Sequence, residues 1–500
     1  MTSLNGLEDF DVKNFFIVLT IWVSLTVSLM SCGTSTQDMH RDSIEDIGTV
    51  LSEDITGDIT VYYFEDSPYR AFLLDAARQF ENEHPGTKII IEGFSKMPEI
   101  KTIEIDGVIF ATSSTDDTQE RADYIMRVNT ELMGGKGPDI LAADILPFYK
   151  YAESGYIEDL MLYMEADDDF KETDYRSKIF EETRYKSGQY MIPLNVGFSF
   201  ISFDKTKLDS AAISAIREKG EFTYWEFTNL IHDQFMKDSS YARVIDLQGG
   251  PRTVFNVLFE MEYKKYVDLE NKKANFIDSD FAQLLDRIEQ QHSNGYFAPS
   301  FESPEESMQD FIEGQRLYYY KYQYDLHLQG IFRPRQATDL PEAFPTTDID
   351  EIAGPMIDSE GNTPFNCNHA YGINSNSRNK KLAWEFLKFL LSEQMQQNLS
   401  LGGLPVNNAA FTKTQEIFFA TGLSSDGSRM EIVEEEYLNA YNDYMEFLDS
   451  FLNRPSFFPE TDKTIKEMIK KEVILFFEGS KSAEDVTNAL QNSVQLYLSE

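Results

Sequence analysis

The sequence predicts an α/β fold with parallel strands covered by helices, because two strands flank a helix early in the chain. Residues 59–64 (ITVYYF) form a β-branched and aromatic run with the length of a strand. Apolar side chains then repeat at helical spacing: Phe72, Leu73, Ala76, Ala77 and Phe80. His84-Pro85-Gly86 ends this helix before a second strand at 88–91. A strand, a helix and a strand in this order form a βαβ unit with parallel strands.

The next stretch continues the alternation of helix and strand. A second amphipathic helix is predicted near 119–133, and Gly134-Gly135 ends it ahead of a strand around 139–141. Residues 101–112 carry Asp106-Gly107 between alternating apolar residues, which predicts a β-hairpin. Further amphipathic helices are predicted at 381–398, 460–478 and 483–498.

The charge balance excludes several classes of function. The 500 residues include 44 Lys and Arg against 85 Asp and Glu, which gives a formal net charge of -41. A chain this acidic cannot neutralise phosphates, so we expect neither nucleic acid binding nor adhesion to an anionic membrane by charge. The same charge favours a soluble monomer.

The sequence lacks the motifs of common enzymes and metal sites. It has no HExxH, GxSxG, Walker loop or GxGxxG after a strand, and its six histidines never fall at helical spacing. Two cysteines, Cys32 and Cys367, cannot form a disulfide framework or a zinc site of several cysteines. We therefore expect no catalysis, no cofactor and no metal. Asp167-Asp168-Asp169 is either a solvated helix start or a calcium site. Cys367 and His369 are either buried core or hinge residues or a pair with a chemical role.

An apolar, charge-free stretch at 14–31 ends in Leu29-Met30-Ser31-Cys32. The aliphatic residue three places before the cysteine and the small one just before it resemble a bacterial lipoprotein signal. The resemblance implies cleavage of residues 1–31 and lipidation of Cys32, which would anchor the chain at the extracellular face of the cytoplasmic membrane. The leading residues depart from the pattern because they are acidic, and an uncleaved anchor helix or a structural cysteine are the alternatives. Residues 32–57, rich in Ser, Thr, Asp and Gly, are then predicted to be a flexible tether.

Several segments occur in the order that one protein family shows. They are GKGPDIL at 135–141, YAESGYIEDL at 151–160, YMIPLNVGFSFISFDKTKL at 190–208, FTYWEFTNL at 222–230, FIEGQRLYYY at 311–320, AYGINSNSRNKKLAWEFLKFLLSE at 370–393 and GGLPVNNAAF at 402–411. Together they resemble the extracellular solute-binding proteins of ABC importers, the family that includes maltose-binding protein and other saccharide binders. Each segment is weak alone, but the set spans most of residues 58–500.

The resemblance implies a periplasmic-binding-protein-like (type II) fold, in which two α/β lobes enclose a ligand cleft. Crossing segments are expected near Asn195, near Asn366 and after Pro405. The implied lobe 1 is 58–194 and 366–404, and the implied lobe 2 is 195–365 and 405–500. The implied function is capture of a small-molecule solute by cleft closure and its delivery to ABC permease subunits with their ATPase.

Candidate ligand-binding residues follow the strands, because ligands of open parallel sheets lie beyond the carboxyl ends of the strands. The candidates are Glu65, Asp66 and Asp144 after strands, Asn195 and Phe198 at the first crossing, and Arg252 by its match to a cleft wall. Short polar side chains at these places can bond sugar hydroxyls. The alternatives are exposed or capping acids and, for Arg252, a surface salt bridge.

Aromatic side chains supply the second group of candidates. The run from Tyr318 to Tyr324 ends where the resembled family carries an aromatic platform, which selects Tyr322 and Tyr324. Phe457 and Phe458 match a second aromatic position. A flat ring offers a pyranose a large contact at little entropic cost, so the solute is expected to be an oligosaccharide. No tryptophan stands at these positions, and the tyrosine run could equally be core.

Other functions stay open at this point. An anchored surface glycan hydrolase would need a pair of carboxylates that lie close in space, which the sequence does not exclude. A sensory or adhesive surface protein could use the same two lobes without an importer. Within the receptor class, the solute could also be a peptide, a polyamine or another metabolite.

Overall fold

The computed structural model describes the following parts of the chain: residues 36–64, 69–94, 100–105, 108–113, 118–205, 208–237, 250–297, 332–336, 350–367, 369–421, 442, 445–446, 448, 454, 456–458 and 462–499.

Helices and strands alternate through these ranges, as the sequence predicts. The helices are α1 (Thr36–Leu51), α2 (Tyr69–Glu83), α3 (Thr118–Met133), α4 (Phe148–Glu153), α5 (Leu160–Ala166), α6 (Ser177–Glu182), α7 (Ser210–Lys219), α8 (Tyr224–Lys237), α9 (Gly250–Met261), α10 (Tyr263–Tyr266), α11 (Phe281–Ser293), α12 (Lys380–Leu390), α13 (Glu393–Gln396), α14 (Asn408–Thr421), α15 (Lys463–Phe477) and α16 (Ala483–Ser499). The strands are β1 (Gly57–Tyr63), β2 (Thr87–Gly93), β3 (Ile100–Ile105), β4 (Val108–Ser113), β5 (Ile140–Ala142), β6 (Ile192–Pro193), β7 (Asn195–Asp204), β8 (Val267–Asp268), β9 (Lys273–Ala274), β10 (Phe332–Gln336), β11 (Asp350–Pro355), β12 (Thr363–Asn366), β13 (Ala370–Ile373), β14 (Leu404–Pro405) and β15 (Ser456–Phe457).

The first sheet has the strand order β2-β1-β5-β13-β6. Strands β1, β2 and β5 run parallel, with β1 and β2 paired from Gly57 and Thr87 to Tyr63 and Gly93. This confirms the predicted βαβ unit. Strand β13 arrives from a distant part of the chain and runs antiparallel to β5 and β6. The predicted hairpin is also confirmed, because β3 and β4 pair antiparallel.

The second sheet is built on β7, which pairs with several later strands. Its first residue, Asn195, pairs with Pro405 of β14, and Gly197 pairs with Asn366 of β12. Further along, β7 pairs with β10 and β11. The segments expected to cross between lobes therefore lie side by side. A Cβ at Gly197 would lie 2.5 Å from Oδ1 of Asn366, so a larger residue here would force the Asn366 side chain to move.

The packing of the helices defines two groups of elements. The first-sheet unit is the first sheet with the helices attached to it. Helices α2 and α12 pack on the sheet, α3 is joined to it by the hydrogen bond from Tyr124 to the Ala142 carbonyl, and α4 is joined to α3 by the hydrogen bond from Tyr151 to Asn129. The helix group is α9, α11, α15 and α16, which pack on one another. Trp384 of α12 is fully buried, and its indole N–H donates to Asp167 at 2.7 Å.

The structure corrects the prediction of a flexible tether at 32–57. Residues Thr36–Leu51 form helix α1, which packs on α5 and α12. The polar composition concealed Ile44, Ile47 and Leu51, whose spacing of three and four residues gives the helix an apolar side; Ile47 is buried. Cys32 and the apolar stretch before it lie outside the described residues. No helix within the described ranges combines the length and hydropathy that a membrane span requires.

Candidate functional site

The candidate site lies at the edge of the first sheet where β1 and β5 end. Asp144 follows β5, and His369 precedes β13, which is hydrogen-bonded to that end of β5 by Ala143 N–H donating to the Ala370 carbonyl at 2.8 Å. Because ligands of such sheets lie beyond the strand ends, both side chains stand where a solute would be held. Glu65 and Asp66, the candidates after β1, lie outside the described residues.

The carboxyl group of Asp144 has a strongly shifted pKa. Burial raises its pKa to about 7, although Lys463, backbone hydrogen bonds and Arg121 oppose the shift. The residue nevertheless keeps part of its surface accessible. Near neutral pH the group can therefore either accept or donate a hydrogen bond.

Lys463 is a cation whose charge acts on Asp144, and the sequence alone did not reveal it. It is the first residue of α15, so it brings a cation from the helix group to the edge of the first sheet. Burial lowers its pKa to about 8, while Asp144 and Glu260 act in the opposite direction. The available signal was the start of the predicted helix at 460–478, where a lysine directly follows the acidic cap Asp462.

His369 and Tyr69 pack on each other at this edge of the sheet. Their rings stack with centroids 3.4 Å apart and planes within 4°. Burial lowers the pKa of His369 to about 3, so its imidazole is neutral at physiological pH. Burial also raises the pKa of the Cys367 thiol, which keeps it protonated. The pair Cys367 and His369 thus has the properties of buried core residues, which is the interpretation that the sequence favoured.

Asn195 holds the crossing segments together. Its side-chain amide donates to the Gly402 carbonyl at 2.8 Å, and its Oδ1 accepts from the His369 backbone N–H at 3.3 Å. The residue is 1% exposed, so the predicted contact with a solute gives way to a structural role. Asn195 thereby fixes the backbone of His369 at the start of β13.

A sequence model of the family described as bacterial extracellular solute-binding protein matches residues 101–397, more than half of the 500-residue chain. The chain belongs to this family. The resemblance found in the sequence is thereby confirmed.

Solved structures of solute-binding proteins share the fold of this chain. A family 1 extracellular solute-binding protein from Alicyclobacillus acidocaldarius has a TM-score of 0.55 and 15% identity, with 90% of this chain and 100% of that chain covered. An ABC substrate-binding protein from Listeria monocytogenes in complex with cycloalternan has a TM-score of 0.54 and 14% identity, with 89% of this chain and 99% of that chain covered. Maltose-bound MalE3 of T. maritima has a TM-score of 0.53 and 15% identity, with 88% of this chain and 99% of that chain covered.

These similarities confirm the two-lobe α/β fold. No curated protein matches the sequence.

Arg252 lies far from the site of this solute-binding protein. Its guanidinium pairs with Glu478 at 3.1 Å, and both side chains are about half exposed. Glu478 follows the carboxyl end of α15, whereas Lys463 begins it, so about 20 Å of helix separates Arg252 from Lys463. The structure therefore makes Arg252 a surface ion pair, which was the alternative interpretation.

Among the remaining candidates, which are all aromatic, the structure describes the side chains of Phe198 and Phe458. Phe198 is 1% exposed and packs on Phe365 with ring centroids 6.2 Å apart, so it is a core residue. Phe458 is half-buried and also packs on Phe365, at 5.8 Å. Phe457 lies in β15, which pairs with β12. Tyr322 and Tyr324 lie outside the described residues.

The carboxylate of Asp167 is held by protein partners. Lys388 contacts its Oδ2 at 2.6 Å, and the indole N–H of Trp384 donates to the same oxygen. Burial opposes the charge, but these hydrogen bonds lower the pKa of Asp167 overall. Among the described residues, no cluster of His, Cys, Asp and Glu could hold a metal ion.

Proposed function

We propose that this solute-binding protein is a lipid-anchored receptor that captures an oligosaccharide between its lobes and delivers it to an ABC permease. The observation that carries the proposal is the position of Asp144, at the strand ends of the first sheet and within electrostatic reach of Lys463 from the helix group. A solute held there would be bonded from both sides of the cleft.

The chemistry of this pair suits a polyhydroxylated ligand. A carboxyl group with a pKa near neutrality can accept from or donate to a hydroxyl, and a lysine ammonium donates to hydroxyl oxygens. The structures bound to cycloalternan and to maltose support the saccharide class, since they share the fold. Closure would exclude water and strengthen each of these hydrogen bonds.

Delivery to a permease and anchoring through Cys32 are the further parts of the proposal. They rest on family membership and on the signal-like residues that end in Leu29-Met30-Ser31-Cys32. Mass spectrometry of the mature amino terminus tests the anchor. We expect a diacylglycerol-modified Cys32, and an unmodified chain that still carries residues 1–31 would contradict it.

The solute class is tested by thermal unfolding with panels of maltooligosaccharides, cyclic glucans, peptides and polyamines. A ligand at about 100 times its Kd adds roughly 2.7 kcal/mol to the free energy of unfolding, which raises Tm measurably. We expect one glycan series to raise Tm. A shift caused by peptides or polyamines alone would overturn the saccharide assignment.

A further inference from the structure

A buried carboxylate lies where the first-sheet unit meets the helix group. Asp462 precedes α15 and caps it, because its Oδ1 accepts from the Ile465 backbone N–H at 3.0 Å. The residue is 1% exposed. One carboxylate oxygen is thus used within the helix, and the other is left for partners outside it.

Those partners are two tyrosines from different parts of the molecule. Tyr149 of α4 donates to Oδ2 of Asp462 at 2.7 Å, and Tyr497 of α16 donates to the same oxygen at 2.9 Å. Burial, followed by the charge of Asp462, raises the pKa of Tyr149, so its hydroxyl remains a proton donor. The bond from Tyr497 stays within the helix group, whereas the bond from Tyr149 joins the two units.

Helix α4 makes further contacts of the same kind. The ammonium of Lys150 lies 3.7 Å from the ring centroid of Tyr497, and Glu153 pairs with Lys272 at 3.2 Å. One turn and a half of helix therefore carries a hydrogen bond, a cation–π contact and an ion pair from the first-sheet unit to the residues around α15 and α16. Such a concentration of polar contacts on one short element can form and break as a unit.

We propose that α4 is a closure latch, in which the hydrogen bond from Tyr149 to Asp462 forms when the lobes close and breaks when they open. In both states the Asp462 carboxylate keeps its hydrogen bonds from the Tyr497 hydroxyl and from the Ile465 backbone N–H. Opening therefore does not leave this buried charge without a hydrogen-bond partner. The latch thereby sets the population of the closed state before any solute binds. The inference rests on the lobe closure of the proposed function, but it does not depend on the solute.

The test is the distance between the two units in the full-length protein without solute. Spin labels are attached to Leu74→Cys in α2 and Ile277→Cys near α11, because both positions are exposed. The chain also carries Cys32→Ser, so that Cys32 is not labelled. Double electron–electron resonance then gives the distance distribution. We expect Tyr149→Phe to lower the ratio of closed to open protein by about tenfold, because it removes a hydrogen bond to a charged group.

Two matched substitutions distinguish the loss of the latch hydrogen bond from the loss of any tyrosine hydroxyl. Tyr497→Phe removes the other hydrogen bond to Oδ2 of Asp462, but it acts within the helix group. Tyr151→Phe lies on α4 itself and removes a hydrogen bond to Asn129, within the first-sheet unit. We expect both to keep the wild-type distance distribution.

A wild-type distribution in Tyr149→Phe, or an equal opening in Tyr497→Phe, would overturn the latch. Because no solute is added, this result is independent of the solute panel. A protein that binds no saccharide can still show the latch, and a saccharide receptor can lack it.

Discussion

His369 stacks face to face on Tyr69, with ring centroids 3.4 Å apart and planes within 4°. The contact joins the start of β13 to the start of α2, two segments about three hundred residues apart in the chain. His369 is 9% exposed, so its imidazole is largely shielded from water. Burial of the imidazole makes the stability of the protein depend on pH.

Replacement of His369 by Phe should make the protein less sensitive to acid. An ordinary histidine has a pKa of about 6.5, and burial lowers that of His369 to about 3. Between these values the unfolded chain binds a proton that the folded chain does not bind. The stability from this group is therefore complete above about pH 6.5 and is lost as the pH falls towards 3.

Urea unfolding of wild type and His369→Phe at pH 7 and pH 4.5 measures this effect. The wild type should lose about 2 kcal/mol more than the variant over this range. Phe keeps a flat ring for Tyr69 and the backbone N–H that donates to Asn195. An equal loss of stability in both proteins would show that His369 is already protonated in the folded state at pH 4.5.

Asn195→Ala should destabilise the protein by about 2–3 kcal/mol, because it leaves the buried backbone N–H of His369 without its partner and removes the hydrogen bond to the Gly402 carbonyl. Asn408→Ala is the matched control. Its amide also donates to backbone carbonyls, of Thr173 and Tyr175, but at the surface. Chemical denaturation should place its cost below about 1 kcal/mol. Similar losses in the two variants would contradict the structural role of Asn195.

Gly48→Ala tests whether the segment before β1 is helix α1 or a flexible tether. Gly48 lies inside the helix, and a Cβ there would meet nothing within 4 Å. Alanine should stabilise a helix by about 0.5–1 kcal/mol at such a position. A flexible tether would give no change in the free energy of unfolding. Thermal unfolding of the two proteins distinguishes these outcomes.

Local patterns in the sequence were sufficient for much of the fold. Strand β1, helix α2 and the hairpin of β3 and β4 follow from periodicity and turn residues that are neighbours in the chain. Helix α1 was missed because its polar residues outnumber the few apolar ones that pack on α5 and α12. A composition rule averages over a segment, whereas a helix needs only one apolar side.

The candidate site was harder to predict because it depends on distant contacts. Asp144 could be selected from the rule about strand ends, but Lys463, whose charge acts on it, comes from a helix more than three hundred residues later. The side chain of Phe198 points into the core, and Arg252 lies at the opposite end of α15 from Lys463. Residue type and order in the chain do not fix these directions.

Isothermal titration calorimetry with the glycan series that raises Tm tests the proposed solute site most directly. Asp144→Asn should weaken binding by at least about tenfold, since the variant loses a charged or protonated group that bonds the solute. Arg252→Gln, at the far end of α15, should bind like wild type. Unchanged affinity in Asp144→Asn, or an equal loss in Arg252→Gln, would contradict a solute site at the edge of the first sheet.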